Sequence, residues 1–142
     1  MSDSVLHPIH YCSLSSAADA IRDGQLSPVE LTEKLLSRID SVDGQLKSYA
    51  TVMTEQAMEA GRKAEQEIQA GNYKGPLHGI PIAVKDLCFT AGTGTMGGLK
   101  VLRDFVPDYD ATVVHKLREA GAVILGKLNL TEGALSGYHR DF

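Results

Sequence analysis

No stretch of the chain approaches the ~20 apolar residues that a helix needs to span a bilayer, so the sequence offers no membrane-spanning helix. Positive charge is not in surplus either. The 14 Lys and Arg are outnumbered by 18 Asp and Glu, a formal net charge of −4, which leaves no basic footprint for holding nucleic acid. Cysteine is scarce: Cys12 and Cys88 are too few and too far apart for a disulfide framework or a zinc site, which points to a reducing compartment. The opening residues, Met-Ser-Asp-Ser-Val-Leu-His-Pro, have neither the basic start nor the apolar centre of a secretion signal. A cytoplasmic location is the expectation. Repeats and low-complexity tracts are absent too. What is present is ordinary for a soluble domain. The 142 residues are 43% hydrophobic and 23% charged, enough to bury one core.

The first half reads as helices without chemistry. Leu14, Ala17, Ala18 and Ile21 recur at helical spacing, with Ser15 or Ser16 as candidate cap and Gly24 as the stop. Ser27-Pro28-Val29-Glu30 is a stronger start, with serine to cap, proline to preset the first turn and glutamate to complete a capping box. That helix is expected to run to about Ile39 and to be broken by Asp43-Gly44. Residues 49–53 suggest a short strand, and the charged, alanine-rich run from Glu55 to Ala70 an exposed amphipathic helix that Gly71-Asn72 ends. His7 and His10 lie three apart with no third ligand nearby, so they do not make a metal site.

The second half is organised around Lys74-Gly-Pro-Leu-His-Gly-Ile-Pro-Ile-Ala-Val-Lys85-Asp86-Leu87. Turn residues followed by the short β-branched run 80–84 predict a buried strand, with Pro81 at its first pairing position or on a free edge. Lys85 arrives where the run stops. A lysine there either reaches into water or is desolvated, and burial would disfavour its ammonium and make it a base near neutral pH. Asp86 is no automatic partner for it, because neighbours on an extended strand face opposite ways. Beyond comes a glycine-rich loop, then Asp110 as cap of a helix through Ala120 with Gly121 after it, then a second buried strand at 122–125. Strand, helix, strand predicts a right-handed crossover and a largely parallel α/β sheet.

Gly79-Ile-Pro-Ile-Ala-Val-Lys85-Asp86, Thr90-Ala-Gly-Thr-Gly-Thr-Met-Gly-Gly98, Asp110-Ala-Thr-Val-Val, Leu117-Arg-Glu-Ala-Gly-Ala-Val-Ile-Leu-Gly-Lys-Leu-Asn129 and Thr131-Glu132 follow one another in order. This series resembles the amidase signature family, strongly from about Gly75 to Ser136 and more weakly before. The resemblance implies an α/β fold with N-terminal helices on a largely parallel sheet. Residues 1–73 would be a helical segment and residues 74–142 the first part of the core, two parts of one incomplete domain. It also implies a serine hydrolase in which lysine replaces histidine: a serine nucleophile is bridged through a second serine, in a cis peptide, to a neutral lysine. Lys85 matches that lysine. Both serines belong to a Gly-Ser-Ser-Gly-Gly-Ser signature that this sequence does not contain, so these residues are expected to be a truncated portion of an amidase, inactive alone.

Two other motifs compete with this reading. Gly92-Thr-Gly94-Thr-Met-Gly97 is literally G-x-G-x-x-G, but no helix opens at the third glycine to receive a pyrophosphate. The resemblance instead makes this loop a wall of the active site. Ser136 is not a nucleophile elbow, because Ala134 stands where glycine is needed. The resemblance gives Ser136 a substrate-binding role, lining the acyl site. The implied activity is hydrolysis of a carboxylic amide to acid and amine or ammonia, with no cofactor and no metal. Its implied partners are a small-molecule amide and the remainder of its own domain beyond Phe142. A homodimer is left open, and neither nucleic acid nor membrane is expected. The alternatives are the amidase-like subunit of a tRNA-dependent amidotransferase, and a non-catalytic fragment.

Overall fold

Ser13, two or three residues before the expected caps Ser15 and Ser16, starts the first helix. The structure is a computed structural model that describes residues 9–135. In it Ser13 Oγ accepts from the Ser16 amide at 3.1 Å, and α1 (Leu14–Arg22) follows, burying Ala17, Ala18 and Ile21. Ser15 and Ser16 fall inside the helix. α2 (Pro28–Leu46) begins as the capping pattern predicts, with Ser27 Oγ accepting from the amides of Val29 and Glu30. The serine hydroxyl in turn donates to Glu65. The helix does not stop at Ile39. It runs through Gly44 and ends at Lys47, whose φ of 52° is left-handed. Asp43 does not break it but ties off its end, accepting from the Ser48 amide at 2.7 Å.

β1 (Tyr49–Val52) and α3 (Thr54–Gln69) follow close to their expected bounds. α3 crosses α2 closely because Gly61 has no side chain: a Cβ there would stand 3.2 Å from Thr32 Oγ1. β2 (Pro81–Lys85) starts at Pro81, where a missing N–H does least harm. α4 (Thr112–Glu119) then leads to β3 (Val123–Leu128). Asp110 is not its cap. Ala111 holds that position, while Asp110 accepts from the Ala91 amide at 2.8 Å and pairs with Arg118 at 3.1 Å, tying the glycine-rich loop to α4.

The sheet has the order β1-β3-β2, with β2 parallel and β1 antiparallel to the central β3. Helices cover both faces, as an α/β layer arrangement requires. Leu36 of α2 and Ala57 of α3 pack on Val123 and Leu125, while Val114 of α4 packs with Met53, Val84 and Ile124. A third cluster joins α1 and α2 to Ile80, just ahead of β2. β2 is less buried than its apolar run suggests. Only Val84 is buried, because β2 has a strand partner on one side alone among the described residues.

One irregularity positions the site. Along the β2–β3 pair, Ile82 faces Ile124 but Ala83 faces Gly126, so Leu125 is an extra residue in β3. Such a bulge reverses which face the later residues occupy. Val84 therefore faces Lys127, and Lys85 faces Leu128.

Candidate active site

In open α/β sheets, ligands gather at the carboxyl ends of parallel strands. Here those ends carry Lys85 and Asn129. Lys85 is exposed, and its Nζ donates to the carbonyl oxygen of Asn129 at 3.0 Å. Asn129 is itself fixed: its amide donates to Ser48 O at 2.8 Å and its side chain to Lys47 O at 2.7 Å. The desolvated lysine considered from sequence is thus not what these residues alone produce. What they do produce is a directed lysine, its tip held by a backbone carbonyl at the sheet's edge.

The glycine-rich loop folds over the same end. Gly92, Gly97 and Gly98 all have positive φ, and a Cβ on Gly98 would stand 2.8 Å from the carbonyl oxygen of Thr131. Gly133 donates its amide to Gly97 O at 2.9 Å, so the loop and the 131–133 turn are stitched together. No nucleotide-type helix opens at Gly97. A short 3₁₀ turn at Lys100–Leu102 intervenes, and α4 begins only at Thr112. Ser136, the expected acyl-site hydroxyl, lies outside the described residues.

Behind Lys85 sits a polar cluster that sequence reading did not single out. Asp86 and Lys127 are both buried, at 2% and 0% exposure, with Lys127 Nζ 3.3 Å from Asp86 Oδ1. Lys127 also donates to Thr95 Oγ1 at 2.7 Å. The absence of a Lys85–Asp86 pair follows from strand alternation, and the aspartate's partner is instead a lysine distant in sequence, on β3. The available signal was Lys127 interrupting an apolar strand, where it reads as the strand's end.

A second buried polar group lies at the other end of β2. The Lys74 amide donates to His78 Nδ1 at 3.1 Å, so Nε2 carries the ring proton and faces Glu67 Oε2 at 3.0 Å. Lys74 Nζ reaches the same oxygen at 2.7 Å. Burial holds the His78 pKa below its ordinary value despite the glutamate, and the Lys74 hydrogen bond holds that of Glu67 down. A cavity of about 390 Å³, lined by α3, the loop residues Ala91 and Thr93, Arg118 of α4 and Ile124 of β3, adjoins this group.

The fold and these sequence blocks recur in known proteins. A family model described as Amidase matches residues 30–141. The chain is 56% identical over 126 residues to the Mycobacterium tuberculosis protein named Putative amidase AmiD, covering 89% of this chain and 26% of that one. It is 44% identical over 133 residues to a glutamyl-tRNA(Gln) amidotransferase subunit of Geobacter metallireducens, covering 94% and 26%. The native peptide amidase of Stenotrophomonas maltophilia superposes with a TM-score of 0.83 at 34% identity, over 88% of this chain and 26% of that one. The chain therefore spans about a quarter of the length of the relatives it matches. By the family match over most of its length and by its shared fold, the chain belongs to the amidase family.

Proposed function

We propose that the full-length protein hydrolyses a small carboxylic amide to acid and amine or ammonia, with Lys85 as the proton acceptor. The observation that carries this reading is the placement of Lys85 at the carboxyl end of parallel strands, aimed by Asn129 and walled by the glycine-rich loop. A serine nucleophile and a bridging serine would come from the part of the protein that these residues do not include. That part would also cover Lys85, removing the water that keeps its ammonium charged. Ser136 would line the acyl site. Residues 1–73 and 74–142 are parts of one domain in this reading, which the pairing of β1 with β3 supports. Residues 1–142 alone, holding a base without its nucleophile, would turn over no amide. The reaction needs no cofactor, and the location is the cytoplasm.

Hydrolysis is favoured over amidotransfer because identity is higher to the amidase than to the amidotransferase subunit, 56% against 44%. Co-purification of the full-length protein with tRNA and a second protein chain would reverse that order. The base assignment is tested by turnover of folded Lys85→Ala and Lys85→Arg. Each should lose roughly 10²-fold or more, the scale of a missing general base. Guanidinium cannot release its proton at accessible pH, so arginine should fare no better than alanine. Activity within a few-fold of wild type for Lys85→Arg would end the assignment.

A further inference from the structure

Lys127 is the largest fully buried side chain among the described residues. An ammonium taken out of water is costly unless it is paired, and such pairs can often be replaced by apolar residues without loss of stability. Its location suggests a use. Without the bulge at Leu125, Lys127 would face Lys85. With it, Lys127 faces Val84, on the side of the sheet to which strand alternation also sends Asp86.

Asp86 is gripped from every direction. Its amide donates to Leu128 O at 2.9 Å, its carbonyl accepts from Gly97 at 3.1 Å, and its Oδ2 accepts from the Met96 amide at 2.9 Å. Among the described residues its Oδ1 makes no hydrogen bond, and the Lys127 ammonium stands 3.3 Å from it. Thr95, the other partner of Lys127, directly precedes Met96 in the loop. One buried ammonium thus holds together the residue after Lys85, the loop above it and β3. We propose that Lys127, acting through Asp86 and Thr95, is a positioning residue that fixes the peptide following Lys85 and so aims Lys85 at the Asn129 carbonyl.

The proposal rests on Lys85 being the base, and its test is chosen to separate the two. In the full-length protein, lysines are acetylated with limiting acetic anhydride and each site is read by mass spectrometry. The ratio of Lys85 to Lys34, an exposed lysine of α2, reports how firmly Lys85 is held. Thr95→Val and Asp86→Asn should each raise that ratio about three- to tenfold, the scale of one modest hydrogen bond lost. Thr95→Ser should restore the wild-type ratio. On 4-nitroacetanilide, kcat should fall with the same ranking while KM stays nearly constant. A role in stability alone would lower the melting temperature and leave the labelling ratio unmoved. A ratio within twofold of wild type in folded Thr95→Val and Asp86→Asn overturns the proposal, whatever the activity. If the anilide is not turned over, the labelling ratio decides alone. Lys127→Met should raise the ratio in the same way, and where it fails to fold, Thr95→Val, which keeps the charges paired, decides in its place. A fully active Lys85→Arg would overturn the base reading, and with it the catalytic purpose of the anchoring.

Discussion

Glycine to alanine should have opposite consequences at Gly126 and Gly44, and the structure supplies both magnitudes. A Cβ on Gly126 would stand 2.2 Å from the carbonyl oxygen of Thr51 and 3.0 Å from the Tyr49 ring. The first distance is more than about 1 Å short of ordinary contact. Nothing nearby can give cheaply, because the oxygen belongs to β1. That strand is pinned by Met53 N on Leu125 O and by Asn129 N on Ser48 O, both at 2.8 Å. Overpacking of this kind costs about 1–3 kcal/mol, and each ladder bond sacrificed to relieve it adds about 1 kcal/mol. Gly126→Ala should therefore destabilise by about 3 kcal/mol. Gly44 lies inside α2, and a methyl group added there would meet nothing within 4 Å. Alanine there should stabilise by about 0.5–1 kcal/mol through helix propensity. Urea denaturation followed by circular dichroism measures both, and amide exchange at Met53 reports whether β1 has come loose. A Gly126→Ala protein within about 1 kcal/mol of wild type would refute the packing argument.

Acidification should weaken the fold through His78. Its folded pKa lies below the ordinary 6.5, chiefly because it is buried, so the unfolded chain binds the extra proton first. The stability it contributes is present above pH 6.5 and is lost as pH falls from there through the folded pKa. His78→Asn should flatten the melting-temperature profile between neutrality and mild acid, and parallel profiles would contradict this. Ser27→Ala should cost about 1 kcal/mol as a lost cap, measured by urea midpoint. Ser27→Asp should not restore it, because its carboxylate would meet Glu65 where the hydroxyl now donates. Val114→Ala should cost about 2 kcal/mol by calorimetry, since Val114 is fully buried, while its half-exposed neighbour Val113→Ala should cost little. Equal effects at the two positions would place α4 on the wrong face.

Local signals carried most of the elements. Ser27-Pro28 set the start of α2 because a cap and a preset φ act within one turn, and the run at 80–84 set β2 because β-branched residues between turns have few alternatives. The ordered blocks from Gly79 to Glu132 identified Lys85 as the residue of interest before any geometry was known. Tertiary structure decided the rest. Asp43-Gly44 looked like a helix break, yet the helix runs on to Leu46, and Asp43 becomes its closing ligand by accepting from the amides of Ser48 and Tyr49, beyond the helix. Asp110 looked like a cap, but Ala91 and Arg118, brought to it by the fold, took its oxygens. The exposure of Lys85 depends on which other elements cover the sheet's carboxyl edge, something no local pattern encodes. The pairing of Asp86 with Lys127 depends on a single extra residue in β3. That one-residue change in register reverses the face of everything after it, and register is a property of two strands together, invisible in either one.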